Sequence, residues 1–388
     1  MSSEFIKIFS SIFIRISTAN IKMSVLGEKS KIDTCKMSVL GEKSKIDTWY
    51  HRLCQRVLKA GPVPRHVAFI MDGNRRFAKK QHIERAEGHV KGFDKLAETL
   101  DWCLRLGITE VTVYAFSIEN FKRSKEEVEG LMELAKQKFT RLLQERELIE
   151  KHDVCVRVIG DITMLPSDVQ EVVAEAVYIS RNNKKAILNV CLAYTSRDEI
   201  CNAMRECAEG VELGIIKDSD ITERVLENCF YTNKSRKLDM LVRTSGEVRL
   251  SDFMLWQSSY SVLSFVEVLW PEFSVWHMYA GVLHYQKHHK GIADAYTDYQ
   301  LDQERLQRES DLECLMQELN LTGGHTTSKP PVTNLEEQLL QYKADREKRL
   351  ENFKQHVISK RENFIENIAC SKKHQILGTS ASTGIVNV

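Results

Sequence analysis

The chain lacks an excess of either charge. Its 55 lysines and arginines are balanced by 54 aspartates and glutamates over 388 residues, which leaves a net charge of +1. This balance excludes a protein held on nucleic acid by bulk charge, so any anion site must be a local cluster of basic residues. The ten cysteines include no C-x-x-C pair and no zinc-ligand spacing, and those in apolar runs are typical of reduced core cysteines.

Long apolar runs are also missing. The stretch 5–16 is short, Lys7 and Arg15 interrupt it, and no clear cleavage site follows. We therefore expect neither a signal peptide nor a membrane-spanning helix, and any membrane contact would be peripheral. The phosphate-binding loops G-x-x-x-x-G-K-[ST] and G-x-G-x-x-G do not occur, which disfavours a generic nucleotide-binding protein.

The N-terminal part contains an exact tandem copy. Residues 22–34 and 36–48 both read KMSVLGEKSKIDT, with Cys35 between them. Such a copy is typical of a duplicated exon or a gene-model error, which makes Met37 a candidate start. We predict an irregular extension over 1–48, a main domain over 49–300, and a charged helical extension with a loose tail over 301–388.

Hydrophobic residues make up 43% of the chain, enough for a sizeable core. Between 66 and 300, short β-branched apolar runs alternate with helical patterns. The six runs are 66–72, 110–117, 155–161, 186–194, 239–246 and 261–270. Nearly continuous apolar runs with long spacers are typical of a parallel sheet covered on both faces. The fold class is therefore α/β: a single domain with a central six-stranded, mainly parallel sheet flanked by helices.

Helical periodicity predicts helices over 48–60, over 86–106 with a stop at Gly107, and from 125 onwards behind the capping pair Ser124 and Glu127. A long, highly charged helix is predicted from 334 to about 370. Its apolar residues recur roughly every heptad, and we expect a solvated or partner-facing helix.

Polar residues follow three predicted strands, where ligands bind in open parallel sheets. The first set reads DGNRRFAKK from Asp72. A tight turn, a helix start and two arginines suit a diphosphate, and Asp72 suits Mg²⁺. A surface turn with solvated ion pairs is the alternative, and the basic residues directly after Asn74 favour the anion site.

Two further sets follow other strands. SIENFKR from Ser117 places Ser117, Asn120 and Arg123 near the same edge, although a capped loop with solvated charges explains it equally well. RTSGEVRLSD from Arg243 predicts a second anion site, with an Arg243–Glu247 ion pair as the alternative. Two anion sites at one sheet edge indicate two anionic substrates.

These motifs together resemble a known family. HVAFIMDGNRRFAKK, YAFSIENFKRS, NVCLAYTSRDEI, RTSGEVRLSDFMLWQ and VLWPEF occur in order over about 49–300. The chain resembles the cis-prenyltransferases, the undecaprenyl diphosphate synthase family, and is most similar to the eukaryotic dehydrodolichyl diphosphate synthase branch. The resemblance implies condensation of isopentenyl diphosphate onto an allylic diphosphate, with farnesyl diphosphate as the expected starter, to make a long polyprenyl diphosphate for dolichol and protein glycosylation.

The resemblance also assigns roles to the three sets. Asp72 would bind Mg²⁺ and, with Asn120 and Arg123, act at the reaction centre. The allylic diphosphate would be bound by Gly73, Asn74, Arg75, Arg76, Arg85, His89 and Ser117. The diphosphate of isopentenyl diphosphate would be bound by Arg243, Arg249 and Ser251. The growing chain would lie beside Phe93, Leu96, Leu100, Leu131, Leu134 and Leu143, for which ordinary core packing is the alternative.

Two departures from the bacterial pattern bear on partners. Val262 replaces a glutamate that helps to bind the metal in homodimeric members, and no Arg-x-Gly follows the main domain. Both fit eukaryotic subunits that pair with a Nogo-B-receptor-like partner, so we expect a heteromer with weak activity of the chain alone. Peripheral attachment to the cytoplasmic face of the endoplasmic reticulum follows from the resemblance and the apolar product. The alternative function is a non-catalytic regulatory subunit of the same fold.

Overall fold

The computed structural model of the protein describes residues 49–144, 146, 149–150, 153–322 and 332–380. The expectations for 1–48, including the tandem copy and the start at Met37, lie outside these residues, as does the predicted loose tail beyond 380. Across the described residues, none of the helices contains an apolar segment long enough to cross a bilayer.

Six parallel strands form one sheet, as the apolar runs predicted. They are β1 (His66–Ile70), β2 (Glu110–Tyr114), β3 (Val154–Ile159), β4 (Ala186–Cys191), β5 (Met240–Arg243) and β6 (Val262–Phe265). Their order is β3-β4-β2-β1-β5-β6, and every neighbouring pair is parallel. All five residues of β1 are buried, because helices cover both faces of its apolar run.

Helices lie between successive strands from β1 to β5, while the described segment between β5 and β6 contains none. The described helices are α1 (Trp49–Lys59), α2 (Asn74–Gln81), α3 (Arg85–Leu106), α4 (Lys125–Gln144), α5 (Ser167–Ser180), α6 (Ser196–Glu212), α7 (Glu223–Asn228), α8 (Val275–Thr322) and α9 (Val332–Ser380). Short 3₁₀ segments occupy Ile118–Lys122, Ile162–Met164, Asp218–Asp220 and Trp270–Glu272. The predicted stop of α3 is confirmed, since Gly107 adopts φ +92° and its N–H donates to carbonyl groups in the last turn of the helix.

The C-terminal helices differ from the prediction in two ways. α8 runs without a break across residue 300, so the predicted domain boundary falls inside a helix. The expectation that α9 is solvated or partner-facing is wrong. Leu350, Phe353 and Val357 are buried against α6 and α7.

The apolar stripe of α9 is therefore part of the core. The many charged residues of α9 are the reason why the sequence predicted a solvated helix. They pair along the edges of the contact: Arg349 donates to Asp220 at 2.9 Å, and Lys360 Nζ lies 2.6 Å from Glu209. Near its start, Leu339 and Tyr342 pack on Leu315 of α8. The apolar stripe is buried and the charged residues lie along its margin. A heptad pattern alone does not distinguish a helix packed in this way from a free helix.

Candidate active site

Three loops open at the carboxyl edge of the central strands. β2, β1 and β5 are adjacent in the sheet, and Ile70 at the end of β1 lies opposite Arg243 at the end of β5. The residues after each strand therefore leave the sheet on the same side. We call them loop 1 (71–76), loop 2 (115–123) and loop 3 (243–252).

Loops 1 and 3 are joined by Arg243. Its side chain is 3% exposed, and one guanidinium nitrogen donates to Asp72 Oδ2 at 2.9 Å. The other donates to Ser251 Oγ at 2.7 Å and to the Arg249 carbonyl. Thr244 Oγ1 adds a hydrogen bond of 2.8 Å to the Asp72 carbonyl. A buried guanidinium needs such partners, and they bring the two predicted diphosphate loops together.

Arg76 makes a second connection between these loops. It donates to the Ser245 carbonyl at 3.2 Å and to Ser245 Oγ, and it lies 3.6 Å from Asp72 and 3.4 Å from Glu247. Glu247 also pairs with Arg249, whose side chain is 66% exposed. The predicted alternative of an Arg243–Glu247 pair is wrong, because Arg243 binds Asp72 and Glu247 binds the two exposed arginines.

Loop 3 has a strained backbone. Ser245, Ser251 and Asp252 have positive φ, between 51° and 81°, and so does Met254 just after the loop, at 47°. Each such residue costs about 1–3 kcal/mol and persists only where its surroundings impose it. The start of α6 supplies this constraint, because the Asp252 carbonyl accepts from Ser196 N–H at 2.8 Å and its carboxylate binds Arg197.

Loop 1 makes a sharp turn into α2. Gly73 has φ +109°, and a Cβ there would lie 3.1 Å from Leu269 Cα, so only glycine fits. The first amides of α2 have no partner within the helix and are oriented for an anion. Asn74 Oδ1 is buried without a hydrogen-bond partner among the described residues, directly above Gly92 of α3.

In loop 2, Ser117 and Asn120 make hydrogen bonds within the loop itself. Ser117 Oγ accepts from Glu119 N–H at 3.2 Å, and Asn120 Oδ1 accepts from Ser117 N–H at 3.1 Å. These two side chains cap the 3₁₀ segment, as the capped-loop alternative predicted. Arg197 links the loop to loop 3, since it lies 3.9 Å from Glu119 and 2.7 Å from Asp252. Contact of Ser117 and Asn120 with substrate remains a prediction.

Arg123 belongs to a cluster that the sequence did not reveal. Glu127 is 12% exposed and binds Arg123 at 2.8 Å, Arg85 at 3.7 Å and Arg75 at 3.9 Å. The sequence identified Glu127 only as a capping residue, and its N–H does donate to Ser124 Oγ at 3.3 Å. Its carboxylate, however, forms ion pairs with the three arginines. The i, i+4 spacing of Arg123 and Glu127 was the available signal.

His89 lies beside this cluster. Its Nε2 is buried without a hydrogen-bond partner in the described part of the chain. Burial lowers the pKa of His89, nearby Arg123 and Arg75 lower it further, and Glu127 opposes them. The lowered pKa favours the neutral ring, which can donate one hydrogen bond and accept another but adds no charge to an anion site.

A divalent cation could be held at Asp72. Among the residues described, no group of three or more histidine, cysteine, aspartate and glutamate side chains could hold a metal. One carboxylate with substrate phosphates is how Mg²⁺ is usually bound, so Asp72 fits. The inference drawn from Val262 remains a prediction. Val262 is paired with Met240 at the start of β5, roughly 10 Å along the strand from Arg243, so this position does not lie beside Asp72 within one chain.

Of the six residues predicted to line a product channel, Leu96 is buried, Leu100 and Leu134 are half-buried, and the other three make the following contacts. Leu131 and Leu143 pack on the cluster shared with β3 and α5, which is ordinary core packing. Phe93 of α3 instead meets α4 through Lys138, whose Nζ lies 4.1 Å from the ring centroid. A channel between α3 and α4 remains a prediction.

Comparisons with known proteins agree with this geometry. Residues 70–293 match the prenyltransferase family of undecaprenyl diphosphate synthases. The chain is 52% identical over 316 residues to a dehydrodolichyl diphosphate synthase complex subunit of Homo sapiens, covering 81% of this chain and 94% of that protein. It is 46% identical over 224 residues to a geranylgeranyl-diphosphate-specific tritrans,polycis-undecaprenyl-diphosphate synthase of Pyrococcus abyssi, covering 58% and 84%.

A solved structure is also similar. Lavandulyl diphosphate synthase from Lavandula x intermedia, crystallised with dimethylallyl diphosphate, superposes with a TM-score of 0.55 at 33% identity, covering 58% of this chain and 95% of that one. The six-stranded parallel sheet and the contact between the strand-end loops agree with these relatives. The chain belongs to the cis-prenyltransferase family, whose members are prenyl-transferring enzymes.

Proposed function

We propose that this chain adds isopentenyl diphosphate units to an allylic diphosphate, with farnesyl diphosphate as starter, and so makes dehydrodolichyl diphosphate for dolichol and protein glycosylation. The observation that carries the proposal is the 2.9 Å contact between Asp72 and Arg243. This contact holds the two basic loops against each other, and we expect two diphosphates to lie side by side there.

The chain's own residues would act chiefly by positioning charge. Arg75 and Arg76, at the start of α2, would bind the allylic diphosphate and stabilise the charge that builds on it as it departs. Arg243, held rigid by three oxygen acceptors, would keep the isopentenyl diphosphate still. Asp72 would hold Mg²⁺, which when bound neutralises diphosphate charge. Bringing the two substrates together supplies much of the rate gain.

A partner subunit is supported by the edge of the sheet. β6 is the last strand, and Leu263 and Phe265 on it are each 36% exposed, while Val248 in loop 3 is 77% exposed. Apolar side chains at an open edge beside the site suit a protein contact. The human relative is named as a complex subunit. We include in the proposal a Nogo-B-receptor-like partner and peripheral binding at the cytoplasmic face of the endoplasmic reticulum.

Coexpression tests the partner. The purified chain alone should incorporate labelled isopentenyl diphosphate weakly, and the chain coexpressed with such a partner should do so strongly, with lipid products resolved by chromatography. Full activity of the chain alone would contradict the heteromer.

The other candidate is a non-catalytic subunit of the same fold. Such a subunit would be expected to lose the acidic turn of loop 1 or the basic residues of loop 3, and both are intact and in contact here. Intact loops therefore favour the enzyme.

Substitution of Asp72 decides between the two candidates. Asp72→Ala and the isosteric Asp72→Asn should lower incorporation of labelled isopentenyl diphosphate by about 100-fold or more, because metal binding is lost. Asp101→Asn is the matched control, since Asp101 pairs only with Arg105 on the surface of α3 among the ion pairs described. Unchanged incorporation by both Asp72 variants would reject the enzyme.

A further inference from the structure

Glu127 holds a position that the proposed chemistry does not use. It lies in the first turn of α4, and its carboxylate is shared by Arg123, Arg85 and Arg75 at 2.8, 3.7 and 3.9 Å. These arginines come from loop 2, from the start of α3 and from the start of α2. A single carboxylate thus gathers the basic side chains of three separate elements.

The arginines differ in how freely they can leave Glu127. Arg75 and Arg85 are 54% and 73% exposed, whereas Arg123 is 25% exposed. The two longer pairs are therefore weak and exchangeable in water. Within the described residues, no other carboxylate lies within ion-pair distance of these three side chains. Glu127 is thus their shared counter-charge.

A diphosphate entering beside these arginines meets two opposing effects of Glu127. The carboxylate keeps the guanidinium groups gathered, and its negative charge repels the incoming anion. A diphosphate carries more negative charge than one carboxylate and accepts hydrogen bonds from several arginines, so it displaces Glu127 from them. When it leaves, Glu127 can pair with them again.

We propose that Glu127 is a positioning residue that competes with the allylic diphosphate for Arg75, Arg85 and Arg123, which weakens substrate binding and speeds release of the diphosphate product. The inference rests on the proposed function, since it takes these arginines as the allylic site. Two consequences follow: removing the charge of Glu127 tightens diphosphate binding, and it slows turnover.

Calorimetric titration with inorganic pyrophosphate tests the first consequence. Glu127→Gln should lower the dissociation constant about tenfold, which is about 1.4 kcal/mol. Glu127→Ser, which also removes the charge, should change it in the same direction, while Glu127→Asp, which keeps it, should remain within about twofold of the parent. Glu129→Gln is the matched control, because Glu129 is on the same helix, 66% exposed, and pairs with Lys125.

Steady-state kinetics of the chain with its partner subunit test the second consequence, which is slower turnover. In Glu127→Gln, both KM for the allylic diphosphate and kcat should fall, and Glu127→Asp should restore both. Weaker or unchanged pyrophosphate binding by both neutral variants would overturn the proposal, and so would no binding by the parent. If the parent binds pyrophosphate and the variants behave as expected, but no isopentenyl group is transferred, the competition stands and the proposed enzyme function fails.

Discussion

At the scale of single residues, Arg243 joins loop 3 to loop 1, and Glu127 joins loop 2 to the starts of α2 and α3. Arg243 was predictable, because an arginine at the end of an apolar strand must find buried partners. Its partner was not, because the 2.9 Å contact with Asp72 depends on strand order. Glu127 was recognised as a helix cap, and only the arrangement of loop 2, α2 and α3 reveals it as the partner of three arginines.

The pH dependence of stability should report on His89. Its pKa in the folded chain is lowered, first by burial and then by Arg123 and Arg75. The unfolded chain therefore binds the proton more readily, and stability is lost as the pH falls below the ordinary value of 6.5. From pH 7.5 to 5.5, roughly spanning that value, the free energy of unfolding in urea should fall less for His89→Gln than for the parent.

A control for that measurement is the exposed His288 on α8. His288→Gln should follow the parent at both pH values. A parent whose stability is the same at both, or a His89→Gln variant that loses as much as the parent, would contradict the buried, neutral ring.

At the scale of elements, the packing of α3 on α2 positions loop 1. A Cβ at Gly92 would collide with Asn74 Oδ1, so Gly92→Ala should displace the Asn74 side chain at the start of α2. Since misplacement by about 1 Å can cost around 100-fold in rate, we expect kcat/KM for the allylic diphosphate to fall by at least about tenfold. Steady-state kinetics with varied allylic substrate measure this.

Gly130 provides the comparison. It lies on α4 with nothing near its Cβ position, and Gly130→Ala should leave kcat/KM unchanged and stabilise the helix by up to about 1 kcal/mol. Equal kinetics for the two alanine variants would show that close contact between α2 and α3 is unimportant for loop 1.

α9 should contribute strongly to stability. Phe353 is 1% exposed and packs against Gly210 of α6, so Phe353→Ala should lower the free energy of unfolding by about 3–5 kcal/mol. Phe364, on the same helix and 41% exposed, should tolerate alanine within about 0.5 kcal/mol. Urea unfolding followed by circular dichroism compares them, and a small effect at Phe353 would mean that α9 is not part of the core.

At the scale of the whole molecule, the sheet was predictable and the C-terminal arrangement was not. Six buried apolar runs separated by helix-length spacers leave few alternatives to a parallel sheet, and all six strands occur where the runs predicted. The placement of α9 could not be predicted, because a heptad stripe fits a partner helix and a groove between α6 and α7 equally well. The substrate, the partner and the membrane site likewise cannot be predicted from the fold.

The central claim is that loops 1 and 3 form a single pocket for two diphosphates. A crystal structure of the chain with its partner subunit, Mg²⁺, isopentenyl diphosphate and the unreactive thiolo analogue of farnesyl diphosphate tests it most directly. We predict the analogue's diphosphate at Asp72 and Arg76, the isopentenyl diphosphate at Arg243 and Ser251, and reacting carbons within about 3.5 Å of each other. Diphosphates bound in separate places, or isopentenyl diphosphate bound away from loop 3, would contradict the claim.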